Sequence, residues 1–154
     1  MRVVHPVAGT IALVCVCCFW LSTVAAEILA FAFGGDAMVP LVVAVKTAIP
    51  FGFIILVPAL IATTVSGFRL NAGRSAPLTR QKQRRMPFII VTGVVILIPS
   101  AIYLAAAARA HSFGNVFILV QAIELIAGAV NISLLRLNMR DGQQMKAERV
   151  AAQG

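Results

Sequence analysis

Four apolar stretches, at about residues 7–33, 39–66, 88–108 and 113–135, are each long enough to cross the ~30 Å hydrocarbon core of a bilayer at about 20 residues per helix. No other feature constrains the chain as strongly. Backbone polar groups in hydrocarbon must be satisfied within their own segment, and for apolar runs of this length that means α-helix. The 154 residues are 60% hydrophobic and 12% charged, against about 25% charged in an ordinary soluble domain. The expected fold is therefore all-α and integral to the membrane: one domain, an antiparallel up-down-up-down bundle of four transmembrane helices. Outside the spans lie a basic loop at 67–87, two short turns and a polar tail at 136–154. That leaves little room for a soluble catalytic domain, and no nucleophile, phosphate-loop or membrane-protease motif is present. The chain is not expected to be an enzyme.

The net charge of +8 is distributed as a topology signal. Arg69, Arg74, Arg80, Lys82, Arg84 and Arg85 lie between the second and third spans, Arg136, Arg140, Lys146 and Arg149 follow the fourth, and Arg2 precedes the first. Only Asp36 and Arg109 fall in the other two turns. Lys and Arg favour the cytoplasmic side, and four crossings place all three basic regions there. The expected orientation is N-in/C-in in a bacterial-type inner membrane. Arg80, Lys82, Arg84 and Arg85 are also placed to hold anionic lipid headgroups, and no nucleic-acid partner is expected. A second reading of the N-terminus is a cleavable signal ending at Val24-Ala25-Ala26. Against it, the apolar run continues through Ile28 to Phe33, well beyond the 7–15 residues of a signal's apolar region.

Prolines punctuate the second span at 40, 50 and 58 and the third at 99. Pro40 suits a first helical turn, whereas Pro50 and Pro58 are interior and predict kinks. Within the basic loop, residues 77–86 read as a short interfacial helix ended by Pro87. The tail beyond Arg140 is polar and is expected to fray.

Glu27, Lys46 and Glu124 are the charges lying well inside apolar spans, each on a different one. Each costs on the order of 2.5–3.5 kcal/mol at membrane depth even on the lenient insertion scale, so they should face one another or a cavity. Helical phase puts Gln121, Glu124, Gly128, Asn131 and Asn138 on one stripe of the fourth span. With the orientation above, Glu27, Lys46, Tyr103, Gln121 and Glu124 all fall in the outer half of the bundle. They form the candidate ligand- or ion-binding group, with Trp20 near its edge. The short turn between spans one and two makes Glu27 the natural partner of Lys46. That leaves Glu124 to exchange a proton or meet a cationic ligand, or else to hydrogen-bond Gln121 or Tyr103 in a purely structural network that fixes helix register.

Cys15, Cys17 and Cys18 lie in the first span, where Cys15 and Cys18 join Ala8, Ala12, Ser22, Ala26 and Ala30 on a stripe of small residues that suits close helix packing. No cofactor or metal is expected: His5 and His111 lie at opposite ends of the spans, and no His, Cys, Asp or Glu group has ligand spacing. Three functions fit. The first is a small inner-membrane protein binding or moving a small solute or ion through a charged outer-half pocket. The second is a non-catalytic accessory subunit of a larger membrane complex, docked by its small-residue stripe and basic loop. The third is a b-type haem electron-transfer module, with a second chain or a Met completing the ligation. The first reading requires a homo-oligomer if four spans are to seal a pathway.

Overall fold

The computed structural model describes residues 4–71, 85 and 87–151. Among them every regular element is helical: α1 (Val4–Phe33), α2 (Gly35–Asn71), α3 (Pro87–Arg109) and α4 (Asn115–Ala151). All four are long and apolar enough to cross a membrane. Arg80, Lys82, Arg84 and the interfacial helix expected at 77–86 lie outside the described residues, apart from Arg85.

Specific residues keep the turns between helices short. Gly34 sits at φ 88° between α1 and α2, a left-handed conformation that closes helices and that glycine adopts without a Cβ penalty. His111 takes φ 52° in the turn after α3. There the Ala110 N–H donates to Ala106 O at 3.0 Å and the Ser112 N–H to Ala107 O at 2.9 Å, so the last carbonyls of α3 are satisfied.

Proline acts differently in α2 and α3. The helical assignment of α2 runs on through Pro40, Pro50 and Pro58. Its next two turns carry side-chain bonds to backbone: Thr63 Oγ1 donates to Ala59 O at 2.7 Å and Thr64 Oγ1 to Leu60 O at 2.8 Å. In α3, by contrast, the turns before Pro99 widen into a π-helix over Thr92–Leu97. The Ile98 N–H reaches Gly93 O, five residues back. Pro99 has no N–H and its ring crowds the carbonyl four residues before it; the π register accommodates that locally. From Ile98 to Arg109 the helix is again regular.

The helices close into a ring. α1 packs beside α2 and α4, α2 beside the Ile98–Arg109 part of α3, and α3 beside α4. Two apolar clusters fill it: Ala12, Val16, Leu56, Ala59, Ile89 and Leu135 form one, and Ala26, Val42, Leu104, Ala107, Ala108 and Phe117 the other. α1 and α2 approach closely because small residues line their seam. Gly9 faces Thr63, and Gly52 lies under the Phe19 ring so closely that any Cβ there would collide with it. Of the small-residue stripe on α1, Ala8, Ala12 and Ala26 are buried, Cys15 is half-buried and Cys18 is exposed.

The perimeter is apolar. Phe31 is 94% exposed, Ile54 73% and Ile126 67%. In water each such side chain would forgo roughly 1.5–3 kcal/mol of burial, whereas hydrocarbon suits it. The expected fraying after Arg140 is not what the structure has, for α4 continues as helix to Ala151. One reason lies in Asp141, which is buried and accepts a hydrogen bond from Arg85 Nη1 at 2.9 Å. This ion pair ties the polar end of α4 to the start of α3.

Candidate functional site

Thr23, Lys46 and Glu124 lie between the two apolar clusters along their helices, so the polar layer is sandwiched by hydrocarbon. α1 contributes Thr23 and Glu27, one turn apart; α2 contributes Lys46; α4 contributes Gln121 and Glu124, also within one turn. The expected Glu27–Lys46 pair is not the one formed. Lys46 Nζ lies 2.7 Å from Glu124 Oε2, and the ammonium also reaches Thr23 Oγ1 at 3.5 Å. Helices adjacent in sequence need not supply each other's side-chain partners. α2 and α4 are not backbone neighbours in the ring, but a lysine's four-carbon stem spans the interior between them. Lys46 is only 2% exposed and Glu124 12%.

Glu27 is half-buried and lies within electrostatic reach of both Lys46 and Glu124. Its Oε1 is buried and has no hydrogen-bond partner among the described residues. The same holds for both side-chain atoms of Gln121, for Thr47 Oγ1 and for Asn131 Oδ1. Orphaned polar atoms of this kind are uncommon in folded interiors and each wants an explanation. Tyr103 does not join the group: it is 41% exposed on the perimeter of α3. Four of the five candidate residues therefore carry buried polar atoms in the interior, and the fifth faces outward.

A cavity of about 250 Å³ opens beside this layer. Glu124 and Thr23 border it at one end and Asn131 lies further along, about 10 Å down α4 at a rise of ~1.5 Å per residue. Between them the Trp20 indole packs on Gly128, where an added Cβ would sit 2.9 Å from the ring. Its Nε1–H donates to Leu125 O at 2.9 Å. Phe53, Leu56 and Leu60 of α2 and Gly93 and Leu97 of α3 are among the residues of the remaining wall, which is mostly hydrocarbon. The cavity thus runs from the charged layer away from the α1–α2 turn, through the middle of the bundle. The sequence led us to expect a pocket confined to the outer half, nearer that turn.

One side of the cavity is open. Its lining there includes the exposed side chains of Ile61 on α2 and of Ile90 and Val94 on α3. The π-helix before Pro99 therefore forms one edge of a cleft that faces outward between α2 and α3. π-turns of this kind recur at functional sites.

The histidines lie elsewhere. His5 Nδ1 is 3.0 Å from both Thr63 O and Ser66 Oγ, where α1 begins, and His111 occupies the α3–α4 turn. Among the described residues no three His, Cys, Asp or Glu side chains are close enough to hold a metal ion. Thr23 and Asp141 escaped the sequence reading. Thr23 had a signal, standing one turn before Glu27 on the same face, whereas Asp141 looked like part of a solvated tail. Compared with known proteins, the chain matches no family model, no curated protein and no solved structure.

Proposed function

We propose that the chain is a multi-pass protein of a bacterial-type inner membrane that binds a small solute through its charged interior layer. The spans run up-down-up-down with both ends cytoplasmic, the basic loop and tail lying on that side as the distribution of Lys and Arg favours. Arg80, Lys82 and Arg84 meet anionic headgroups there, while Arg85 is engaged with Asp141. The observation that carries this reading is the junction of ion pair and cavity: Glu124, bonded to Lys46 at 2.7 Å, is also a wall of the 250 Å³ cavity. Small-ligand sites are concave, mostly apolar and furnished with a few convergent polar groups, and this one has that composition.

Native mass spectrometry of the chain released from lipid nanodiscs tests the proposal. The expected spectrum contains a bound small molecule that is lost in Glu124→Gln. A bare chain, or a stoichiometric second polypeptide with no small ligand, would overturn it; the latter would point to an accessory subunit.

A further inference from the structure

The cavity, the orphaned carboxylate and the ion pair fit together as one device. Glu27 and Glu124 are two carboxyls beside the single ammonium of Lys46, so the interior layer accepts one further positive charge when both are ionised. Low-dielectric surroundings make an uncompensated charge expensive. Such a cation has a place to come from, because the cavity touches Glu124 and opens sideways between α2 and α3. Its wall is hydrocarbon except at Thr23, Thr64, Glu124, Asn131 and the Trp20 indole, whose N–H is already used. Glu124 offers an acceptor at the cavity wall, which calls for a donor on the ligand. An engineered cavity of 150 Å³ accepts benzene, so one of about 250 Å³ takes a somewhat larger body.

We propose, resting on the solute-binding reading above, that the cavity takes a protonated amine on a compact hydrocarbon body, entering from the bilayer between α2 and α3. Its ammonium replaces Lys46 at Glu124, and Lys46 turns to Glu27. The occupied layer then holds two ammoniums and two carboxylates and is neutral. The exchange breaks no covalent bond and consumes no cofactor. Lys46 has only a short way to move, since it already touches Thr23, one turn from Glu27 on α1. Glu27, half-buried with an unpartnered oxygen, is the carboxylate held in reserve for it.

Trp20 is the only tryptophan in the chain and lines the cavity, so a bromine on the ligand reports entry by quenching its fluorescence. The probes are 8-bromooctylamine and 8-bromooctanol, added to the protein in phosphatidylcholine nanodiscs. Saturable quenching by the amine, tenfold or more weaker in Glu124→Gln and several-fold weaker in Glu27→Gln, is the expected result. Leu97→Phe, which fills the cavity without touching a charge, should abolish it and guards against misfolding of the charge variants. Equal, saturable binding of amine and alcohol that ignores Glu124→Gln would overturn the amine inference while leaving a solute cavity. Amine binding that needs Glu124 but is indifferent to Glu27→Gln would overturn the hand-over of Lys46. Failure of both probes to saturate would overturn this inference and the solute-binding reading together.

Discussion

Lys46 on α2 bonds Glu124 on α4 across the interior of the ring, at 2.7 Å, although the two helices share no backbone contact. The consequence is mechanical as well as electrostatic. Each helix in the ring is gripped laterally by its neighbours, and this one pair braces it crosswise between two apolar clusters. Removing one partner of a buried pair leaves the other charge stranded and typically costs about 3–5 kcal/mol, whereas replacing both with apolar side chains is often neutral. Lys46→Met should therefore destabilise the bundle severely, and Lys46→Met with Glu124→Leu should restore most of the loss, read as unfolding midpoints in mixed micelles.

Gly128→Ala should disturb Trp20 without touching a charge. The new Cβ falls 2.9 Å from the indole, close enough to force the ring off its position and strain its bond to Leu125 O. Overpacking of this kind costs about 1–3 kcal/mol. The emission maximum and quantum yield of the single tryptophan should change together with the unfolding midpoint.

Gly52→Ala places a Cβ inside the volume of the Phe19 ring. A similar penalty of about 1–3 kcal/mol is expected, and it should be reversed by its neighbour. In Phe19→Ala/Gly52→Ala the collision is gone, so the double variant should be more stable than additivity of the two single variants requires. A thermal-shift cycle over the four proteins checks this coupling.

Asp141→Asn should loosen the end of α4. Arg85 is 24% exposed and Asp141 12%, so the pair is only partly screened, and the loss is on the order of 1 kcal/mol, the upper end for accessible ion pairs. Amide exchange over 136–144 should accelerate while exchange at Leu104 and Ala108 stays slow, and added salt should reproduce part of the effect in the wild-type chain.

The four long helices were readable in the sequence because the length of an apolar run is nearly sufficient to define a helix able to cross a membrane. The spans at 7–33, 39–66 and 88–108 lie within α1, α2 and α3 to within a few residues of their ends. The inward stripe of α4 was also legible, since Gln121, Gly128, Asn131 and Asn138 are all buried. What escaped depended on three dimensions. The partner of Lys46 is set by ring geometry and stem length, which periodicity does not encode. Tyr103 was placed by its position along the span alone, and on α3 the inward face belongs to Ala101, Leu104, Ala105 and Ala108 instead. Asp141 belonged to a segment whose polarity reads as tail until Arg85 is brought beside it.

The most direct test of the account is a pair of double-mutant cycles that share Lys46: Lys46→Met with Glu124→Gln, and Lys46→Met with Glu27→Gln, measured on the ligand-free chain by reversible unfolding in micelles. Coupling toward the top of the usual range of about 0.5–3 kcal/mol is predicted for Lys46 with Glu124, and less than about 1 kcal/mol for Lys46 with Glu27, which feels the ammonium only at longer range. Strong coupling to Glu27 with none to Glu124 would contradict it, and with it the idea that Glu27 is the carboxylate left unpaired beside the Lys46–Glu124 bond.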